Sequence, residues 1–157
     1  MKKKILAVSM ALTFVSFCSK GISPDDWANQ TYDIYANAIN ETAALVKDLP
    51  EAASVKGKIK EIKESAIQKL LALGKARDVY SSSEKQASNS KLMSKMYAIG
   101  NTDSYKIYQK ATMHYQRSDI DNELASDLFS LNTITQYASL ELLRKQNPAE
   151  AKRLGVE

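Results

Sequence analysis

Apolar positions recur along most of this chain at steps of three and four, the spacing that puts side chains on one face of an α-helix. Trp27, Thr31, Ile34, Ala38, Thr42, Leu45 and Leu49 form the first stripe, widened by Tyr35, Ile39 and Val46. Ser23-Pro24-Asp25-Asp26 marks its start. The serine offers an N-cap hydroxyl, the proline suits the first helical position, and the acids face the positive end of the helix dipole. Pro50 pushes the residue before it out of helical geometry, so a helix is expected over 24–48. A second stripe restarts at once, with Pro50 and Glu51 in its first turn. It contains Val55, Ile59, Ile62, Ala66, Leu70, Leu73 and Tyr80, broadened by Ile67 and Leu71. Gly57 and Gly74 lie inside it, each costing about 1 kcal/mol relative to alanine. Gly74 points to a kink or a close helix crossing.

Ser81 to Ser90 is polar and serine-rich, a loop or the solvated start of a third helix. Leu92, Met93, Met96, Tyr97 and Ile99 give that helix its apolar face, and Gly100-Asn101 stops it. Asn101 or Thr102 caps a fourth segment carrying Tyr105, Tyr108, Thr112 and Tyr115. Ser118-Asp-Ile-Asp121 looks like another cap, opening a last long helix. Its stripe is Ile120, Leu124, Leu128, Leu131, Ile134, Ala138 and Leu142, with Phe129, Tyr137 and Leu143 beside it. Asn147-Pro148-Ala-Glu150 starts a short helix ending at Gly155, with Glu150 placed to reach back to the cap. No alternating strand pattern of useful length appears. The expected fold is all-α: an up-and-down bundle of four main helices plus a short C-terminal helix, spanning 23–157.

The first residues follow a different pattern. Lys2, Lys3 and Lys4 form a positive start, and Ile5 to Phe17 is an apolar run broken only by Ser9, Thr13 and Ser16. As a helix this run is about 20 Å long, too short for a hydrocarbon core of about 30 Å. A charged start, a short apolar middle and small residues near the end describe a secretory signal that is removed, here residues 1–17. Val15-Ser16-Phe17-Cys18 then resembles the lipobox of bacterial lipoproteins. Phe17 departs from the usual Gly, Ala or Ser at its position, and the relaxed lipobox of spirochaetal lipoproteins accepts more variety there. The resemblance implies cleavage before Cys18, acylation of Cys18, and residues 18–22 as a tether to the membrane. Ser19 resembles the outer-membrane case, since aspartate there favours inner-membrane retention in that family. The competing reading is ordinary signal cleavage after Cys18. A lone cysteine in an oxidising compartment favours the lipid. Each buried methylene contributes about 0.8 kcal/mol, so one chain binds reversibly and several hold firmly.

Composition and charge sharpen this picture. Loss of Lys2, Lys3 and Lys4 takes the 22 basic residues to 19 against 18 acidic ones, nearly neutral. That argues against nucleic-acid binding. Residues 19–54 carry 2 basic and 6 acidic residues, and 55–96 carry 10 and 4. Complementary faces on antiparallel neighbours would have this distribution, each exposed pair contributing about 0–1 kcal/mol.

Catalytic and metal sites lack parts. His114 is the sole histidine and Cys18 the sole cysteine. No zinc spacing, haem-attachment motif, P-loop, G-x-S-x-G or dinucleotide fingerprint occurs. No enzyme, cofactor or metal is expected, and His114 is read as a rim residue. Two stretches remain. Tyr105, Tyr108 and Tyr115 lie along one helical edge near Lys106, Lys110 and Arg117, either as an aromatic binding edge or, by preference, as an edge of the core. Lys56, Lys60 and Lys63 share a face of the second helix and are candidates for polyanionic glycans. The leading expectation is a lipid-anchored envelope protein that binds or scaffolds a protein partner, perhaps including a second copy of itself. A surface adhesin using the lysine face is the alternative. A small enzyme or apolar-ligand carrier with its site inside the bundle is the weaker one.

Overall fold

A computed structural model of the chain describes residues 21–117 and 121–157, so the signal segment, Cys18 and Ile120 lie outside the described residues. The described chain is all-helical: α1 (Pro24–Val46), α2 (Ala52–Arg77), α3 (Ser82–Ile99), α4 (Asp103–Arg117), α5 (Asn122–Leu131), a 3-10 segment (Ile134–Ala138), α6 (Leu140–Gln146) and α7 (Pro148–Arg153). Four long helices are thus followed by short ones.

α1 is the central element, packing against α2, α3 and α4. Its start follows the local chemistry: the Ser23 hydroxyl accepts the Asp26 N–H at 3.1 Å. It ends at Val46, earlier than the periodicity predicts. Leu49 takes a positive φ of 51° immediately before Pro50, and its N–H bonds back to the Val46 carbonyl at 3.0 Å. A leucine there is costly, and its partial burial against the core accompanies the turn. α2 opens at Ala52, so Pro50 and Glu51 precede its first turn instead of occupying it.

The serine-rich stretch resolves as helix. Ser81 caps α3, and the Glu84 carboxylate returns to the Ser81 N–H at 2.8 Å, a complete capping box. α3 buries only Ser88, Leu92 and Ile99; Met93 and Tyr97, expected on its inner face, are exposed. The Thr102 hydroxyl accepts the Tyr105 N–H at the start of α4, and Asp121 caps α5 through the Leu124 N–H at 2.9 Å.

The last long helix does not form. It breaks into α5, the 3-10 segment and α6, with Ser139 extended at φ −130°, ψ 86° between the latter two. Leu124, Leu128, Leu131, Ile134 and Ala138 are buried as the periodicity predicts. Phe129 in α5 is exposed, and beyond the break the phase resets: Leu140 and Leu143 turn inward, whereas Leu142 is exposed. Packing against α2 imposes the break, because Gly74 admits this segment at very short range. A Cβ on Gly74 would lie 2.8 Å from both the Tyr137 carbonyl oxygen and Leu140 Cδ2. That is the close crossing Gly74 points to.

Both ends of the described body are fastened. The Tyr80 hydroxyl donates to the Ile22 carbonyl at 2.5 Å. At the other end Gly155, at φ 64°, closes α7, and the Val156 N–H reaches the Ala151 carbonyl at 3.0 Å. Glu150 does not return to the cap of α7. Its carboxylate takes Arg153 at 2.7 Å and the Tyr137 hydroxyl at 3.0 Å instead.

Candidate functional site

The lysine face of α2 is turned to α5. Lys56 meets Asp121 at 3.1 Å and also contacts Glu123, Lys60 pairs with Glu123, and Lys63 reaches Asp127 at 2.5 Å. Lysines at 56, 60 and 63 therefore match acids at 121, 123 and 127 across two helices. The Leu124 N–H and Lys56 hold the Asp121 carboxyl below its ordinary range, and Lys56 and Lys60 do the same for Glu123. The same contacts raise the Lys56 pKa. Three ammoniums engaged in this way do not present a bare cationic ladder to a polyanion. The acids that α2 meets lie at 121–127 and not in the acidic stretch 19–54, from which Asp25 reaches Lys91 of α3 at 3.5 Å.

The tyrosines of α4 belong to the core side of that helix. Tyr108 and Tyr115 are buried, and Tyr105 is half-buried with its ring 5.8 Å from that of Tyr108. The Tyr108 hydroxyl donates to the Leu128 carbonyl at 2.6 Å, and that of Tyr115 to the Pro50 carbonyl. Rings held in this manner leave no stacking surface for a ligand. His114 is half-buried, its ring edge-on to Tyr115 at 5.1 Å. Among the described residues no group of His, Cys, Asp or Glu is placed to hold a metal ion. No described helix is long and apolar enough to cross a membrane.

A groove of about 640 Å³ opens between the start of α1, the end of α2, the first turns of α3 and the 3-10–α6 corner. That volume is in the range of ligand sites, about 300–1,000 Å³. Leu92, Met93 and Leu142 line it with apolar surface, Lys85 and Lys145 stand on it, and Arg77 and Trp27 form part of its wall. Met93 and Leu142 are 54 % and 39 % exposed, so apolar side chains at the groove face water.

Arg77 organises this region. It is 4 % exposed, and its guanidinium lies 4.9 Å from the Trp27 ring centre. Nε donates to Ser88 Oγ at 3.3 Å and Nη1 to Ser139 Oγ at 3.1 Å. Nη2 donates to the Lys85 carbonyl at 3.2 Å and to Asn89 Oδ1 at 2.9 Å. One side chain thereby ties α2 to α3 and to the corner before α6. All four acceptors are neutral, and no ion pair compensates the charge among the described residues. Glu141 and Asp78 act from a distance, each engaged elsewhere, Glu141 with Lys85 at 3.7 Å and Asp78 with Arg144 at 3.3 Å. Burial lowers the Arg77 pKa, yet an arginine stays protonated in a protein. Nearby, Trp27 Nε1 is buried without a hydrogen-bond partner.

The groove was not legible in the motifs, but one signal pointed to it. Arg77 falls four residues after Leu73 and three before Tyr80, a fixed cation on an otherwise apolar stripe. Compared with models of protein families, with curated proteins and with solved structures, the chain matches none.

Proposed function

We propose that this chain is an exported, lipid-anchored module of a bacterial envelope that binds a protein partner and performs no catalysis. Acyl chains on Cys18 hold it to the membrane, in the outer-membrane lipoprotein manner that Ser19 resembles. The four long helices run alternately up and down, a reading supported by their short connections and by the packing of α2, α3 and α4 around α1. The single observation that carries the binding role is the groove, where exposed Met93 and Leu142 stand over a rigidly tied Arg77. Apolar side chains beside a fixed cation are suited to receiving a segment of another protein. The lysine face is the weaker candidate for a binding surface, since its ammoniums are paired with α5.

Two experiments test the two halves of this reading. A fatty-acid analogue fed to cells is expected to label the natural chain and not Cys18→Ala; equal labelling removes the anchor. A photo-crosslinking residue at position 93 or 142 is expected to capture the same protein, whereas one at exposed Lys47 is not. Identical capture from all three positions removes the groove as the docking surface.

A further inference from the structure

We propose that the segment received by the groove is acidic, a carboxylate flanked by apolar side chains. The carboxylate faces Arg77 and Lys145, and its apolar neighbours lie against Leu92, Met93 and Leu142. This rests on the groove being the docking surface and adds the chemistry of its occupant.

The charge inventory is the first argument. Arg77, Lys85 and Lys145 contribute three cations to the lining and Glu141 one anion. Lys85 and Glu141 pair with each other, and no ion pair holds Lys145 among the described residues. The surplus is positive, and its most buried member has only neutral partners. A desolvated guanidinium with neutral acceptors keeps its full charge in a medium that screens it poorly. A groove with low-dielectric walls focuses that potential outward, attracting anions and repelling cations.

Donor capacity is the second argument. Four of the five N–H groups of the Arg77 guanidinium are given to protein acceptors, leaving one on Nη1. Three of those acceptors, Ser139 Oγ, Asn89 Oδ1 and the Lys85 carbonyl, belong to residues that also line the groove. All three acceptor groups are uncharged, and a carboxylate is a stronger acceptor than a hydroxyl, an amide or a peptide carbonyl. The surroundings select what accompanies the carboxylate. Met93 is unbranched and adaptable, and Leu142 stands beside it on the open side, which suits a short run of side chains better than an enclosed small molecule.

The test uses the mature chain with Cys18→Ser, probed with an array of short, terminally capped peptides of random sequence. Binders are expected to be enriched in Asp or Glu with apolar neighbours. Changing the acid of a binder to its amide should weaken it about tenfold, as loss of a charge-assisted contact does. Lys145→Glu should weaken acidic binders several-fold, and Met93→Glu should abolish them. Trp27, the only tryptophan, supplies a single indole N–H resonance beneath Arg77, which should shift on binding and confirms folding of each variant. Binders that are neutral or basic, yet still lost with Met93→Glu, overturn the acidic occupant while the groove stands. Binding indifferent to Met93→Glu, with the indole signal unmoved, overturns the groove itself. An array without binders, or one where only free octanoate shifts the indole signal, overturns the peptide occupant.

Discussion

Gly74 of α2 faces the Tyr137 carbonyl so closely that a β-carbon would lie 2.8 Å from that oxygen. Because Tyr137 presents backbone there, it cannot yield by changing rotamer. Alanine gains about 1 kcal/mol in helix propensity, but overpacking against fixed structure costs about 1–3 kcal/mol. Gly74→Ala is expected to lower stability by about 1 kcal/mol, read as a lower urea midpoint with an unchanged slope. Gly57, with open space around it, is the control: Gly57→Ala should raise the midpoint.

Lys63 and Asp127 form the most enclosed pair of the α2–α5 ladder; the lysine reaches Oδ1, and Oδ2 is buried without a hydrogen-bond partner. Lys63→Met leaves that carboxylate buried and alone, and about 1–3 kcal/mol of stability should be lost. Adding Asp127→Leu should recover most of it, since an apolar pair of similar shape replaces buried charges at little cost. If the double variant is as unstable as the single one, the pair does not act as a unit.

Removal of one hydroxyl tests the role assigned to Tyr108. Tyr108→Phe leaves the ring in place and strands the buried Leu128 carbonyl, which accepted it at 2.6 Å. A loss of about 1–2 kcal/mol is expected in chemical denaturation. Peptide binding by the folded variant should not change, because Tyr108 faces the core and not a ligand.

The pH profile of stability should fall at both ends. Asp121, Glu123 and Glu150 have pKa values below their ordinary 3.8 and 4.5, held there respectively by the Leu124 N–H with Lys56, by Lys56 with Lys60, and by Arg153. In acid the unfolded chain therefore binds more protons. The stability they contribute is complete above the ordinary carboxyl range and is lost as pH falls through the lowered values. Tyr137 moves the other way, pushed up to about 12 by burial and the Glu150 carboxylate, and burial raises Tyr35 and Tyr108. Their contribution is complete below the unfolded value of 10.0 and is lost as pH rises past it. Tyrosinate absorbance from these buried rings should thus appear together with loss of helical circular dichroism; titration of all tyrosines in a folded chain would contradict the burial.

The helices were legible where local chemistry and tertiary packing agree. Ser23-Pro24 and Ser81 with Glu84 announce their helices through caps that form regardless of the rest of the fold. The segment after Leu131 was not. Leu131, Ile134 and Ala138 keep helical spacing, and both a continuous helix and a 3-10 turn would bury them. The decision lies with Gly74 and with the Arg77 bond to Ser139, which are distant in sequence. Thr133, Ile134 and Thr135, all β-branched, weaken the helix locally and make it susceptible to that pull. The role of Arg77 is hidden for a related reason: its partners are serines, an amide and a carbonyl, and none of these advertises an arginine site. Of the tyrosines of α4, Tyr108 and Tyr115 lie in the core, where their apolar spacing points despite the neighbouring lysines, and Tyr105 is half-buried.

Under the proposed anchor on Cys18, the bond from Tyr80 to the Ile22 carbonyl would limit how far the body can stray from a bilayer. Only three residues separate Cys18 from Ile22, where the clamp holds, a leash of at most about 14 Å when fully drawn out. Tyr80 follows Arg77 by one turn, so the proposed anchor would hold the groove low, beside the headgroups. A partner reaching the groove would then have to approach within headgroup distance of the bilayer.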